Sequence, residues 1–289
     1  MIRAASHSRL YSWLLIGPGV LLLTVMLIIP MLNVLPFSFG ERTTSGFSAG
    51  GFSFDNYARI FTDDYLRGVV VRTFVIALIT TLLALILALP MTYFISRSKP
   101  RLKGFLMILI LFPLLAGGVV QSIGWVAILS SSGIVSQLLQ VAGIRDSSLE
   151  IMQTPQTIIV IMALIDLPMI VLAIQSSMDS IGDSTERAAQ SLGASRFRAF
   201  RTVTVPQIMP GIVAGTSLAF VLTVNAYPTP VLIGGSQVRM ASPEIYAIVT
   251  RDGDWTQGTA LALVVVALSL LITGLYGKAM SQRFDKWRR

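Results

Sequence analysis

Six stretches of this sequence are apolar and almost free of charge over the length that a bilayer requires. A transmembrane helix needs about 20 consecutive apolar residues. Only 12% of the residues are charged, against roughly 25% in ordinary soluble domains, so a soluble fold of this size has no way to hide the apolar surface. The sequence therefore predicts an all-α integral membrane protein with six transmembrane helices, at about residues 13–35, 69–96, 104–129, 155–178, 207–232 and 259–279.

The basic residues predict how the spans are oriented. An even number of spans puts both termini on one side, and Lys and Arg accumulate in cytoplasmic segments. Most of the 22 Lys and Arg residues fall in the N-terminal tail 1–12, the turn 97–103, the loop 183–206, and in and just before the C-terminal tail 281–289. We therefore expect both termini to be cytoplasmic. The first apolar run is too long for a cleavable signal peptide and is expected to remain as a span.

Several kinds of site have no residues to form them. The chain has one His and no Cys, which excludes disulfides and leaves no ligand set for zinc. No GxxxxGK(S/T) loop is present, so the chain lacks this cradle for ATP phosphates. The formal net charge of +8 lies at the ends of apolar runs, which indicates membrane topology rather than nucleic-acid binding. We predict no catalytic, metal-binding or cofactor-binding residue.

The polar segment DSTERAAQSLGASRFRAFRTVTVP, residues 183–206, is expected to form two short helices outside the bilayer. Asp183 and Glu186 match a capping box at a helix start. Gly193 is a typical helix stop, because glycine accepts the left-handed conformation found there. Pro206 is expected to open the fifth span, since proline is tolerated in a first helical turn.

The second half of this loop has an amphipathic pattern. Phe197, Phe200 and Val203 or Thr204 recur at helical spacing, and Arg198 and Arg201 fall on a neighbouring face. One interpretation is a surface loop whose arginines reach the lipid headgroups. The other is a compact helix–turn–helix that fits a groove on a partner, which the small residues of the first helix favour.

A spacing pattern makes the second interpretation more specific. Three residues separate Ala189 of the Ala188–Ala189 pair from Gly193, and nine residues separate Gly193 from the segment 203–206. This spacing resembles the cytoplasmic EAA loop of permease subunits from bacterial ABC importers. In that loop Glu-Ala-Ala is followed at the same distances by Gly and by an apolar segment that ends in Pro.

The resemblance has one departure. In the family the Glu of the pattern helps to seat the loop on the ATPase, whereas here Arg187 occupies its position and Glu186 lies one residue earlier. Either Glu186 takes over this role, or other residues seat the loop. The resemblance assigns the following residues to an ATPase-coupling loop: Glu186, Arg187, Ala188, Ala189, Gly193, Arg198 and Pro206.

Further segments narrow the resemblance. FDNYARIF at 54–61, PTPVLIGG at 228–235 and DGDWTQGTALALVV at 252–265 are similar to the polyamine-type branch, which includes permeases for spermidine and putrescine and relatives for opines, phosphonates and ferric iron. The resemblance implies a permease fold of the type I ABC importer class, with a cytoplasmic coupling helix, in the bacterial inner membrane.

The resemblance also implies partners. A second permease subunit, expected to be a different chain and so to give a heterodimer, would complete the pathway through the lipid bilayer. Two separate ATPase subunits would bind ATP and Mg and hydrolyse the ATP, and a periplasmic solute-binding protein would deliver the solute. The chain itself is therefore expected to be no enzyme and to bind no cofactor.

Five residues are candidates for lining the solute pathway: Asp166, Trp125, Gln121, Asn225 and Tyr227. Asp166 lies near the middle of the fourth span, where a carboxylate is costly unless it faces water or a partner. It either attracts a cationic solute or makes a satisfied polar contact. Asn225 and Tyr227 break the outer part of the fifth span, and such breaks line cavities or simply end a helix. For Trp125 apolar packing is the favoured role.

Two other classes of protein are less consistent with the sequence. An ion-driven secondary transporter predicts paired intramembrane carboxylates and an inverted repeat, whereas the sequence has one Asp near a span centre and no evident repeat. A membrane enzyme predicts catalytic groups near a span end, whereas the one His lies in the N-terminal tail.

Overall fold

The computed structural model describes residues 4–41, 51–143, 151–181 and 184–288, and these residues form helices and turns but no strand. Two π-helical turns, Phe200–Thr204 and Pro230–Gly234, occur between the α-helices. In chain order the α-helices are α1 (Ala4–Ser38), α2 (Asp55–Thr62), α3 (Asp64–Ser96), α4 (Pro100–Leu115), α5 (Gly118–Leu129), α6 (Ile134–Val141), α7 (Pro155–Ile181), α8 (Ser184–Ser191), α9 (Arg196–Ala199), α10 (Val205–Gln207), α11 (Met209–Val224), α12 (Ala241–Thr250) and α13 (Trp255–Arg288).

Among the described residues, six apolar segments are long enough to cross a membrane when one bent pair is counted as a single span. Five of them are unbent: Ile16–Ser38 in α1, all of α3, Gly118–Val141 across α5 and α6, all of α7, and Trp255–Gln282 in α13. The sixth is the pair of Arg196–Gln207 and α11, which meet at an angle of 68°. The predicted all-α membrane fold is confirmed.

The predicted third window, 104–129, contains two helices instead of one. α4 and α5 are separated by Ala116, which is extended (φ −88°, ψ 106°), and by Gly117. The last carbonyls of a helix have no regular intrahelical donor, and carbonyls left free in hydrocarbon need another one. The side-chain amide of Gln121 donates to the carbonyl of Ala116 at 2.7 Å and to that of Pro113 at 2.5 Å, which also accepts from the backbone N–H of Ala116 at 3.0 Å.

The helix in the fifth window, 207–232, ends earlier than the window does. α11 stops at Val224, residues 225–227 leave the helix, and the π-helical turn follows. The segment is anchored from α5, because the buried hydroxyls of Ser122 and Thr229 lie 2.8 Å apart. A break at this position was predicted from the sequence.

The chain divides into two compact units. The first contains residues up to 63 together with Ile245–Val264, and the second contains Asp64–Glu244 and the residues from 265 onward. Within the first unit, Asn56 of α2 holds the end of α1, because its side-chain amide donates to the carbonyls of Ser38 at 3.1 Å and Gly40 at 2.9 Å.

The core of the second unit is the contact between α3, α7 and α11. Gly211 and Gly215, four residues apart on α11, lie against α7. An added Cβ would lie 2.5 Å from the carbonyl oxygen of Ala173 at Gly211, and 3.1 Å from the Cα of Ile170 at Gly215. Small residues at this spacing allow two helix backbones to approach closely in a membrane. The buried apolar residues around this contact include Ala84, Ala88, Ala163, Ile170, Val171, Ile174, Ile212 and Ala219.

Gly211→Ala is expected to lower the thermal stability of the purified protein, because Ser177 and the carbonyl of Ala173 occupy the space of the new methyl group. Overpacking of this kind costs about 1–3 kcal/mol in the free energy of unfolding. Gly274→Ala on α13 is the matched control, since no atom lies within 4 Å of its added Cβ, and because alanine is favoured over glycine within a helix it should raise stability by about 0.4–1 kcal/mol. Equal melting temperatures for both variants would contradict the close contact between α7 and α11.

Candidate functional site

The loop between α7 and α11 begins with a short helix that has a well-defined end. α8 is followed by Gly193, whose φ of +92° favours glycine. The backbone N–H of Ala194 donates to the carbonyl of Ala189 at 3.1 Å, and that of Gly193 donates to the carbonyl of Gln190 at 3.0 Å. This pair of bonds is a Schellman motif. The predicted stop at Gly193 is confirmed, whereas Asp183 of the predicted capping box lies outside the described residues.

The second half of the loop contains a π-helical turn that the sequence pattern did not indicate. Ser195 caps α9 by accepting a bond from the backbone N–H of Arg198 at 3.3 Å. The N–H of Val205 then donates to the carbonyl of Phe200, five residues earlier. Such a turn is wider than an α-helical turn, and Thr204 is buried in it while Val203 is only half-buried.

The two phenylalanines of the loop do not share one face. Phe200 packs inward, with its ring 5.0 Å from that of Tyr93 and nearly perpendicular to it. Phe197 points outward and is 73% exposed. The predicted face of Phe197, Phe200 and Val203 or Thr204 is therefore wrong for Phe197, whereas Phe200 packs against Tyr93 and Thr204 is buried.

The buried carboxylate of Glu186 is the main polar link between the loop and the spans. Its side chain is 5% exposed. One oxygen accepts hydrogen bonds from the hydroxyl of Tyr93 at 2.9 Å and the amide of Gln190 at 3.2 Å, and the other accepts from Thr204 at 3.0 Å and from Arg97. We call Glu186, Tyr93, Arg97, Thr204 and Gln190 the Glu186 cluster.

The cluster keeps Glu186 ionised. Burial alone raises the pKa of this carboxyl group, but hydrogen bonds from Tyr93 and Thr204 and the charge of Arg97 outweigh burial and hold the pKa below its ordinary value of 4.5. The carboxylate thus attaches the loop to α3 of its own chain. Sequence reasoning missed Tyr93, Arg97 and Thr204, because no local pattern pairs them with Glu186.

Beside the Glu186 cluster the loop is less tightly packed. A cavity of about 300 Å³ separates part of it from the ends of α3 and α7, and Asp179, Thr185 and Gln207 are among the residues that line it. Near the end of α7, Asp179 accepts bonds from Lys103 at 2.5 Å and from Gln175 at 2.7 Å. Directional polar bonds therefore carry much of the attachment of the loop.

The opposite side of the loop is exposed and combines apolar and basic side chains. Leu192, next to Gly193, is 90% exposed, and Phe197 stands beyond the turn. Large apolar side chains exposed together outside a bilayer are typical of an interaction surface. We call this side the exposed loop face; it consists of Arg187, Ala188, Leu192, Gly193, Arg196, Phe197, Arg198 and Arg201. Pro206 is half-buried in α10, at the bend into the fifth span.

The candidate pathway residues have different surroundings. Asp166 is 8% exposed, and one of its oxygens accepts a hydrogen bond from Thr223 of α11 at 2.5 Å, a polar contact within the chain. Gln121 caps the end of α4. Trp125 packs, half-buried, against an apolar cluster of α3 and α7. None of these three arrangements requires a solute.

The two residues at the break of the fifth span differ from these three. Asn225 is exposed, and its side-chain amide donates to the carbonyl of Val221 at 2.8 Å. Tyr227 is half-buried in the non-helical segment. Of the five candidates, Asn225 is the most accessible.

A helical protein with six apolar spans and a rigidly capped helical loop outside them has the architecture of the membrane subunit of a transporter. The chain belongs to the family described as binding-protein-dependent transport system inner membrane component, whose profile matches residues 46–286. It is therefore a multi-pass inner-membrane permease subunit of an ABC importer.

Relatives with assigned functions extend over most of the chain. The spermidine/putrescine transport system permease protein PotB of Salmonella typhimurium strain SL1344 is 29% identical over 253 residues, which are 86% of this chain and 88% of the relative. PotB of Escherichia coli K12 is 28% identical over 266 residues, 91% and 96% of the two chains. The molybdenum transport system permease protein ModB of Mycobacterium tuberculosis H37Rv is 30% identical over 199 residues, 68% and 73% of the two chains.

Solved structures share the fold. A chain of a bacterial ABC transporter that imports the acidic polysaccharide alginate superposes with a TM-score of 0.73 at 17% identity, covering 96% of both chains. A chain of a bacterial alginate ABC transporter in complex with its alginate pentasaccharide-bound periplasmic protein superposes with a TM-score of 0.75 at 19% identity. The superposition covers 98% of this chain and 96% of that chain. The predicted permease fold is confirmed.

Glu186→Gln is expected to lower the stability of the protein at neutral pH by about 1.5–3 kcal/mol, the usual worth of hydrogen bonds to a charged group. Because the folded-state pKa of Glu186 lies below its ordinary value of 4.5, its contribution is complete above that value. It is lost as the pH falls through the folded-state pKa. Thermal unfolding in detergent from pH 7 to pH 3.5 measures this gap, the difference in unfolding free energy between the variant and the parent.

The exposed Asp64–Arg67 ion pair at the other end of α3 provides the control. Asp64→Asn should change stability little, since exposed pairs are worth about 0–1 kcal/mol. A gap for Glu186→Gln that stays constant down to pH 3.5 would contradict the lowered pKa.

Proposed function

We propose that the exposed loop face docks on a separate ATPase subunit, so that ATP hydrolysis outside this chain drives import through it. The observation that supports this most directly is the pairing of two apolar side chains, Leu192 and Phe197, around the fixed turn at Gly193. A short rigid helix with exposed apolar and basic groups suits a groove on a protein partner. Glu186 is turned away from this face, so its role is to hold the loop in position, and the arginines of the face make the polar contacts with the ATPase.

The proposed assembly contains two permease subunits, two ATPase subunits that bind ATP and Mg, and a periplasmic solute-binding protein. The alginate transporter that was solved together with a periplasmic protein supports the last partner by analogy of fold. We propose a heterodimer of two similar permeases. Closure of the ATPases around ATP would move the docked loop and switch the pathway from inward to outward access, as a rigid-body transition between two arrangements.

The proposed orientation places both termini and the exposed loop face in the cytoplasm. It is supported by the distribution of Lys and Arg among the loops and by the fact that ATP and its hydrolysing subunits belong to that side. The segment after α6, near Val141, would then lie on the periplasmic side.

The proposed solute is a polyamine such as spermidine or putrescine. The names of the relatives that cover most of the chain support it. The relative named for molybdenum transport aligns with less of this chain but has a similar sequence identity. An oxyanion is therefore the second candidate for the solute. Opines, phosphonates and ferric iron are further alternatives within the same branch.

The absence of Cys allows one experiment on docking and orientation. In inverted vesicles from cells that lack the ATPase subunit, Leu192→Cys should react with a membrane-impermeant maleimide, whereas in right-side-out vesicles it should not, because the exposed loop face is cytoplasmic. ATPase subunit added after labelling should no longer co-purify, because the bulky adduct occupies the docking surface.

Ala142→Cys is the matched control, since Ala142 is exposed and directly follows the apolar segment Gly118–Val141. It should react only in right-side-out vesicles, and labelling should leave co-purification intact. Labelled Leu192→Cys that still retains the ATPase would rule out docking through this face, and reversed sidedness would rule out the orientation.

Cells that hold the complete transporter are expected to accumulate radiolabelled spermidine only while ATP is available. Excess putrescine should compete, and molybdate should not. Asp166→Asn should leave the KM for spermidine unchanged, because Asp166 is buried and bound to Thr223. If molybdate competes and putrescine does not, the solute is an oxyanion. Uptake that persists without ATP would indicate an ion-driven transporter. A raised KM for spermidine in Asp166→Asn would put Asp166 in the pathway.

A further inference from the structure

Helix α3 is bonded at its C-terminal end to a segment that follows it by about 90 residues. Tyr93 in its last turn and Arg97 directly after it both donate to the carboxylate of Glu186. The guanidinium of Arg97 also lies 5.4 Å from the centre of the Tyr93 ring. The loop of residues 184–206 is continuous in sequence with α7 and α11, but its polar link to α3 depends on this cluster.

The N-terminal end of α3 is bonded in a similar way. The hydroxyl of Tyr65 donates to the buried carboxylate of Glu244 at 2.8 Å, and Arg239 contacts the same two groups at 3.1 Å and 3.4 Å. The backbone N–H of Ala241, at the start of α12, donates to Thr73 at 2.8 Å. We call Tyr65, Thr73, Arg239, Ala241 and Glu244 the Glu244 cluster. It holds the segment that follows the break of the fifth span.

Between these two clusters α3 is one continuous helix, although Pro90, three residues before Tyr93, removes one backbone hydrogen bond near its C-terminal end. It has 33 residues, which corresponds to about 50 Å at 1.5 Å per residue. Buried residues occur along its whole length, and it packs against both α7 and α11. A long helix that is supported on two sides and bonded at both ends is suited to move as a unit.

We propose that α3 acts as a connecting rod between the ATPase-facing loop and the segment 235–244 at the opposite end of the span. The Glu186 cluster transfers a displacement of the loop to α3, and the Glu244 cluster transfers the displacement of α3 to the far segment. Glu186, Tyr93 and Arg97 are positioning residues in this scheme. The inference rests on the proposed docking of the loop on an ATPase.

The chemistry of the two clusters explains why polar bonds are required. Packing between apolar helices keeps them in contact but supplies no group that bonds the loop to one particular helix. Several hydrogen bonds to one carboxylate fix both distance and direction. The cavity beside the Glu186 cluster leaves the loop room to move if these bonds are removed.

The test uses the complete transporter with its partner subunits and one reporter cysteine. Gln237→Cys is exposed and lies two residues before Arg239 without belonging to either cluster. Its rate of reaction with a maleimide is expected to differ between the nucleotide-free transporter and the transporter trapped with ATP and vanadate. Adding Glu186→Gln should abolish that difference and lower the ratio of solute imported to ATP hydrolysed, while the ATPase subunits still co-purify.

The pair Glu186→Arg with Arg97→Glu should restore both readouts, because it rebuilds the ion pair with reversed polarity. Tyr93→Phe, which removes one hydrogen bond and keeps the ring, replaces Glu186→Gln if that variant fails to assemble. Asp64→Asn is the control on α3 and should keep both readouts. The connecting-rod proposal is wrong if the reaction rate of Gln237→Cys still changes with nucleotide in Glu186→Gln, or if it does not change with nucleotide in the transporter with intact clusters. Failure of the ATPase subunits to co-purify with the parent transporter would instead refute the proposed docking.

Discussion

Inside a bilayer every backbone N–H and carbonyl needs a partner within the protein, because hydrocarbon offers none. Most of this chain meets that requirement with long helices. At the end of α4 a side chain supplies the partner, because Gln121 donates to two carbonyls there. Beyond the break of the fifth span, the hydroxyls of Ser122 and Thr229 bond to each other and fix the segment in place. Breaks are thus supported by neighbouring polar side chains, and these supported breaks allow the irregular backbone that a transport pathway uses.

Charge follows the same rule at the loop between the fourth and fifth spans. The side that meets the spans buries the carboxylate of Glu186 and supplies it with four hydrogen-bond donors. A buried charge without such partners would become neutral or destabilise the fold. The other side carries four arginines and two large apolar groups in the open. A loop that was only a connection would have no reason to expose Leu192 and Phe197 while burying Glu186. The asymmetry therefore fits a part with one surface for its own spans and another for a partner.

The number of spans, the helix stop at Gly193 and the break after α11 could be predicted from the sequence, because each depends on local composition or on one residue with a special backbone preference. The attachment of Glu186 to Tyr93 and Arg97 could not, since about 90 residues separate the partners and no periodicity connects them. The π-helical turn that buries Thr204 and the division of the third window at Ala116 also depend on tertiary contacts. Glu186 itself was singled out by its displacement from the family position, but the direction in which it points required the structure.

The packing of the core limits how such a molecule can change shape. Gly211 and Gly215 bring α11 against α7 at distances that leave no room for a methyl group, and close-packed interfaces of this kind do not deform continuously. A displacement of the loop therefore has two outcomes: it is absorbed in the cavity beside the loop, or it moves α3, α7 and α11 together. The bonds to Glu186 favour the second outcome, because they connect the loop to the one core helix with which it has no continuity in sequence. On the connecting-rod proposal, the position of one buried carboxylate, rather than the strength of apolar packing, decides whether the loop and the spans move as one body.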